Sequence, residues 1–387
     1  MPGHPYRDVA IAGAYNTLQG RRLEGHDSES IATLGALGAL ADAGLGPADV
    51  DAVVSSFSQE LILNLGLAPC TRVPNGLGIP AVLQAAQMIA SGQARVVLLA
   101  AGGAGLYTER TATAPWTRPS NEFVVGFGLF TAAEFALMAR RHMIVYGTTA
   151  EQLAAAAAAI RNFGHANPAA VYHGRGPFTV EDILDSRMIA DPFHLLECSM
   201  TSEGGCGLVL TRADMTGALR RPPVWLLGGA SDSFGPAYQI APVWDMAGRD
   251  GGIAGRVGER AGLEAMRTAG LRPDDIDVAE LYDPFSFEII RQTEVFGFCK
   301  EGEGGAFVAE GNTGPDGSVP VTTDGGTMSF SHAGINAQQL QRVIRGVEQL
   351  RGDCPTGQVA GAEVALCTNG GSGALFTDVL LLGSERP

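Results

Sequence analysis

Ala269-Gly270-Leu271-Arg272-Pro273-Asp274-Asp275-Ile276-Asp277 repeats a pattern found 226 positions earlier, Ala43-Gly44-Leu45-Gly46-Pro47-Ala48-Asp49-Val50-Asp51. Six of the nine positions are identical and a seventh pairs Val50 with Ile276, so the match reaches beyond composition. Each copy follows an alanine-rich, helix-forming segment (Ile31–Ala41 and Ala261–Thr268) and leads to a strand (Ala52–Ser56 and Val278–Tyr282). The glycine ends the helix and the proline opens a turn.

Two further echoes run in the same order. Gly78-Ile79-Pro80-Ala81 pairs with Gly334-Ile335-Asn336-Ala337, and Val97–Gly105 pairs with Ala365–Gly373. The pattern predicts an α/β fold made of two related units, residues 1–222 and 223–387. Residues 106–206 have no counterpart of similar length in the second half and read mostly as an insertion. They hold the aromatic, proline-bearing stretch Tyr107–Phe130, a helix Thr131–Tyr146 stopped by Gly147, and a helix opened by Thr148-x-x-Glu151, a capping-box spacing. Long insertions in such a frame commonly cover a substrate.

The chain has 387 residues, 45% hydrophobic and 17% charged, which is a globular composition with room for a large core. A net charge of -15 argues against nucleic-acid binding. Six cysteines without a C-x-x-C pair, and no basic-then-apolar leader, point to a reduced cytoplasmic protein. No apolar run approaches the roughly 20 residues a membrane span needs. His165, His173 and His194 match no metal-ligand spacing, so no metal is expected. Gly102-Gly103-Ala104-Gly105 lacks the G-x-G-x-x-G spacing of dinucleotide sites, so no nucleotide cofactor is expected either.

The candidate site comes from the same symmetry. Asn75 stands at or just before the helix Ile79–Ala90, and His332 just before a helix running from about Asn336 to Leu350. If a pseudo-twofold axis relates the halves, these two helix starts meet at its centre. Helix starts offer N–H groups and a positive dipole end to an anion or a developing oxyanion. The alternative is that Asn75 and His332 only cap their helices. Tyr282 closes the strand after the repeat; it is either a buried strand-end tyrosine with a satisfied hydroxyl or a reactive phenol.

These residues resemble the thiolase superfamily, and within it the sterol carrier protein x and lipid-transfer-type branch. The likeness covers nearly the whole chain and rests on Tyr146–Ala154 (YGTTAEQLA), Ile189–Cys198 (IADPFHLLEC) and Gly297–Phe307 (GFCKEGEGGAF). It implies a duplicated five-layer α/β/α/β/α core with an inserted loop domain, normally dimeric. Thiolases carry a nucleophilic cysteine in Cys-x-Ser-Gly at the first helix start; here the aligned run is Asn75-Gly76-Leu77-Gly78. The next thiolase motif opens with asparagine or histidine, and here it reads Tyr282-Asp283-Pro284-Phe285. The Gly-His-Pro histidine is kept as His332, with Ala333 in place of proline, and the final Cys-x-Gly-Gly-Gly loop becomes Cys367-Thr368-Asn369-Gly370-Gly371.

The resemblance is strongest in character to cysteine-less steroid side-chain aldolases, which cleave a tertiary β-hydroxyacyl-CoA and work with a small zinc-binding OB-fold partner protein. It implies a retro-aldolase using Tyr282 and His332 as catalytic residues, with Asn75, Gly76, Asn369, Gly370 and Gly371 around the substrate or its oxyanion. Coenzyme A would enter only as part of the substrate. A phenol has an unperturbed pKa near ~10, so Tyr282 as base would need a neighbouring charge or strong hydrogen bond; in the converse assignment His332 is the base and Tyr282 the donor. Two other classes stay open: an acyltransferase using another cysteine, Cys367 or Cys299, and a non-catalytic scaffold that binds acyl-CoA. The chain ends at Pro387 without an added lipid-carrier domain, so lipid transfer itself is not expected.

Overall fold

The computed structural model describes residues 3–67, 69–76, 78–105, 131–233, 257–370 and 376–387. Tyr107–Phe130 and Gly371 lie outside the described residues. In chain order the elements are β1 (Val9–Asn16), α1 (Ser28–Ala43), β2 (Ala52–Val54), α2 (Ser58–Leu65), β3 (Thr71–Val73), α3 (Gly78–Ala90) and β4 (Val96–Gly103). The region after β4 supplies α4 (Thr131–Tyr146), α5 (Ala150–Ala166), α6 (Val180–Leu184) and the short pair β5 (Met188–Ala190) and β6 (Phe193–His194). Then follow β7 (Gly204–Arg212), β8 (Val224–Ser233), α7 (Glu259–Ala269), β9 (Val278–Glu280), α8 (Ser286–Val295), α9 (Gly304–Ala309), α10 (Gly334–Arg351), β10 (Val364–Gly370) and β11 (Phe376–Gly383).

Nine described strands are ordered β3-β2-β4-β7-β1-β8-β11-β10-β9. Apart from the outermost β3, the order is symmetric about the β1–β8 junction, where Ala10 pairs with Trp225 and Ile11 with Val224 in antiparallel fashion. On one side lies β1-β7-β4-β2 and on the other β8-β11-β10-β9, the same path traced twice. The repeated nonapeptide does the same work in both. Gly44 and Gly270 end α1 and α7 in the left-handed conformation, and Pro47 and Pro273 open one-turn helices. Asp51 accepts the N–H groups of Arg95 and Val96, and Asp277 those of Glu363 and Val364. Each aspartate thus staples the turn to the next strand of its own half.

Strand side chains alternate between faces, and here both faces are buried. Val9, Ile11, Val97, Leu99, Leu208, Leu226, Ala365, Cys367, Leu380 and Leu382 join one core with Ile79, Val82, Leu340, Val343 and Ile344 of α3 and α10. Val96, Leu98 and Val209 face α1 and α2 instead, whereas Leu366, Val379 and Leu381 face α7, α8 and the inserted helices. Sheet residues on either side of the junction enclose the central helix pair, giving the layers α/β/α/β/α.

Two local expectations change. The capping box of α5 is Thr149 with Gln152, not Thr148 with Glu151: Thr149 Oγ1 accepts Gln152 N–H, and Gln152 Oε1 accepts Thr149 N–H. Thr148 is drawn away because its hydroxyl bonds His142 Nδ1 at 2.8 Å. Strand β9 stops at Glu280 rather than Tyr282, since Leu281 N–H turns back to Ala279 O and Tyr282 N–H is taken by Thr368 Oγ1.

Ile344 of the central helix is fully buried. Ile344→Ala should lower stability by about 2–5 kcal/mol through lost burial and the cavity left behind; a fall in the chemical unfolding midpoint with unchanged far-UV circular dichroism checks this.

Candidate active site

The first turn of α3 is built by both halves. Ile79 N–H donates to Asn369 Oδ1 at 2.8 Å, across 290 positions of sequence. Gly78 N–H donates to Gly76 O, and Pro80 has no N–H to offer. The Gly78 and Ile79 N–H groups at the start of this helix are therefore engaged. Asn369 also donates from Nδ2 to Asp378, so both of its polar atoms serve the architecture. Asn75 lies before the helix with Nδ2 held by Gln84 Oε1 at 2.8 Å. Among the described residues the Gly76 N–H has no acceptor.

Tyr282 sits beside this corner. It is 8% exposed, and a Cβ added to Gly370 would lie 3.1 Å from its Cδ1, so the ring rests on the backbone at the end of β10. Its main chain is pinned twice, by Thr368 Oγ1 on its N–H and by Gln292 Nε2 on its carbonyl at 2.7 Å. Thr368 Oγ1 in turn donates to Gln292 Oε1.

His332 lies on the segment between the 326–330 turn and α10. Nδ1 bonds Met200 O at 2.8 Å, and a carbonyl can only accept. Nδ1 therefore carries the proton, leaving the Nε2 lone pair available. Its main-chain N–H donates to Ser202 Oγ at 2.7 Å, and Ser202 is linked through Ser331 to Gln19. Burial pushes the imidazole below its ordinary value, with the Met200 bond opposing, so His332 is neutral near pH 7.

Between the two runs a turn over Gly326–Phe330 of π type, in which Phe330 and Ser331 N–H reach back to Gly325 and Gly326 O. Asp283 Oδ1 accepts Thr327 N–H at 2.8 Å and Oδ2 accepts Met328 N–H at 3.1 Å. Arg161 Nη1 donates to Met328 O from the other side. Upstream of the turn, Arg342 forms a two-pronged pair with Asp324 at 2.8 and 2.6 Å, with Glu280 Oε2 at 3.4 Å. Burial raises the Glu280 and Asp283 carboxyls, each to about 7, against the lowering pull of Arg342; Asp378 is pushed up to about 6 by burial.

Tyr282, Gly370, Asn369, Gly76 and Asn75 thus line one corner, and His332 is tied to it through the 326–330 turn. Sequence reading missed Asp283, Gln292, Thr368 and Ser202. Only Asp283 carried a signal, its place beside Tyr282. It also missed Gln339, 1% exposed, whose carboxamide has no hydrogen-bond partner among the described residues and whose Cβ would lie 2.4 Å from one on Gly78.

Cys367 points elsewhere. It is fully buried, with Sγ 2.6 Å from where a Cβ on Gly346 of α10 would be, and burial raises its thiol well above the usual range. Cys299 is half-buried with its thiol pushed up to about 12, chiefly by burial. Among the described residues no cluster of His, Cys, Asp and Glu could hold a metal ion, and no helix is long and apolar enough to cross a membrane.

The family described as Thiolase C-terminal domain-like matches residues 252–384. An acetyl-CoA acetyltransferase of Methanothermobacter thermautotrophicus is 34% identical over 95% of this chain and 97% of its own. A steroid side-chain-cleaving aldolase of Thermomonospora curvata is 31% identical over 98% of both. The solved Ltp2-ChsH2(DUF35) aldolase superposes with a TM-score of 0.86 at 30% identity, covering 98% of this chain and 99% of that one.

Glu280, Asp283 and Asp378 hold their protons more tightly folded than unfolded. Their contribution to stability is full below the ordinary carboxylate range and is lost as pH rises through about 6–7. His332 acts oppositely, costing stability as pH falls below its unfolded value. The thermal midpoint should therefore decline from about pH 5.5 to about pH 8, and Glu280→Gln should flatten that decline; scanning calorimetry at both pH values checks it.

Proposed function

The chain belongs to the thiolase superfamily, and on that footing we propose that it is a carbon–carbon lyase, cleaving a β-hydroxyacyl-CoA by a retro-aldol step without an acyl-enzyme. The observation that carries this reading is the start of α3, where a thiolase presents its nucleophile. Here Asn75 stands there with its amide on Gln84, and an amide forms no thioester. Burial raises all six thiols above their ordinary value, which leaves little thiolate at neutral pH.

In the proposed reaction His332 Nε2 takes the proton of the β-hydroxyl. The oxygen forms the ketone, the bond between the α and β carbons breaks, and its electron pair passes into the thioester enolate. The Tyr282 hydroxyl and the Gly76 N–H hold the enolate oxygen. The proton returns from the imidazolium to the α carbon, leaving a ketone and a shortened acyl-CoA. No electrons are gained or lost overall, so the step needs no redox cofactor, and coenzyme A enters as part of the substrate.

The similarity to a steroid side-chain-cleaving aldolase supports a steroid side-chain CoA ester as substrate. The two-component name of the similar solved aldolase supports a partner protein, which we take to be a small zinc-binding OB-fold chain. Strand β3 is the outermost strand of the first half, with Thr71 and Arg72 exposed, an edge suited to pairing in a homodimer. The free cysteines and the proposed acyl-CoA substrate support a cytoplasmic location. The similarity to an acetyl-CoA acetyltransferase favours a second reading, acyl transfer through Cys367 or Cys299. The packing of Cys367 against Gly346 weighs against it.

The test is product analysis by mass spectrometry after incubation with a steroid β-hydroxyacyl-CoA, with and without an OB-fold partner. We expect ketone plus shortened acyl-CoA, with Tyr282→Phe and His332→Ala each slowing turnover by about 10²–10⁴-fold. Cys367→Ser and Cys299→Ser should keep the activity. An acylated cysteine peptide would establish the transferase instead, and intact binding with no cleavage would establish a scaffold.

A further inference from the structure

We infer that Asp283 is a positioning residue for this reaction: its buried carboxylate fastens the strand end that carries Tyr282 to the turn that leads to His332, so that base and donor are set as one unit. The inference rests on the lyase reading for its consequence, though the clamp is defined by contacts alone. Asp283 is fully buried, with Oδ1 and Oδ2 on successive N–H groups of the π turn and its main-chain carbonyl accepting Thr327 Oγ1 at 2.7 Å.

The opposite side of the turn holds the imidazole. Thr327 O accepts Met200 N–H at 3.1 Å, and Met200 O is the acceptor that fixes His332 Nδ1. Ser199 N–H closes the circuit by donating to Pro284 O at 2.8 Å. From Tyr282 one bonded step along the chain reaches Asp283, and three hydrogen bonds then lead to His332. The approach is close: Gly326 has φ +57°, and a Cβ there would lie 2.1 Å from Asp283 Oδ2. Any side chain at 326 would drive the turn off the carboxylate.

The carboxylate is suited to this place because the Thr327 and Met328 N–H groups take no part in the turn's own hydrogen bonds and need two acceptor oxygens. An amide in its place offers one acceptor oxygen and turns an NH₂ towards the second N–H, which opens the turn on one side. Geometry, not charge at the reacting atoms, is what Asp283 supplies. A purely structural residue would lower the amount of folded protein; a positioning residue lowers turnover of the folded fraction and loosens the His332 bond.

The experiment compares wild type with Asp283→Asn in the full chain. With the same steroid β-hydroxyacyl-CoA, kcat should fall about 10- to 100-fold while KM changes less than about threefold, the scale of misplacing a catalytic group by about an ångström. The downfield proton resonance of His332 Nδ1–H, assigned by its loss in His332→Ala, should broaden or disappear. An unchanged resonance with kcat within about twofold overturns the inference, as does activity lost only in proportion to unfolded protein. Should Asp283→Asn not fold, Thr327→Val decides by the same two readouts, since it removes only the hydroxyl bond to the Asp283 carbonyl. A wild type that cleaves nothing sinks the lyase reading, whereas a sharp His332 resonance in Asp283→Asn sinks the clamp.

Discussion

A carboxylate sealed from water must find donors inside the protein, and Asp283 finds them in the backbone of the 326–330 turn. Leaving such a group unpaired costs several kcal/mol at the order-of-magnitude level. The chain is therefore committed to a π turn at this point, a rare conformation that often occurs at functional sites. Arg161, Asn167 and Arg342 hold the same segment from other directions, through Met328 O, Asp324 O and the Asp324 carboxylate. What surrounds the proposed base is thus specified by buried charge as much as by apolar packing.

That arrangement is unusual for a core helix. α10 buries Val343, Ile344 and Val347 towards the central core, yet it also buries Gln338, Gln339, Gln341, Arg342, Arg345 and Gln349. One face meets the sheets and another meets the polar loop 323–324 and Thr356–Gly357, where Arg345 and Gln349 donate to carbonyl and hydroxyl oxygens. Replacing one partner in such a set strands the others, so these residues act as a group. The inserted helices join through the same currency of contacts: His142 of α4 bonds Glu294 of α8, and Glu294 also accepts Gly304 N–H.

Much of the fold was legible because its cause is local. The nonapeptide repeat announces itself through glycine and proline, and both aspartates proved to staple equivalent turns. Strands buried on two faces read as apolar runs, and Tyr282 and His332 stood at element boundaries where chemistry is plausible. What escaped reading was set by distance in sequence. Nothing near Ile79 says that its N–H is taken by Asn369, and nothing near Asp283 says that Thr327 and Met328 will donate to it. The shift of the α5 cap by one residue has the same origin, since His142 claims Thr148 from a different helix.

The bond from Ile79 to Asn369 also bears on the order in which the molecule is made. A ribosome releases α3 long before β10 exists, so the first turn of α3 lacks its distant acceptor while 290 further positions are translated. Nascent chains fold from the amino terminus as units, and contacts of such separation close last. The first unit can collapse early, but the corner that faces Tyr282 is completed only when the second unit docks. Closure of this corner is therefore the molecule's own checkpoint: a truncated or half-folded chain leaves the first turn of α3 without its distant acceptor.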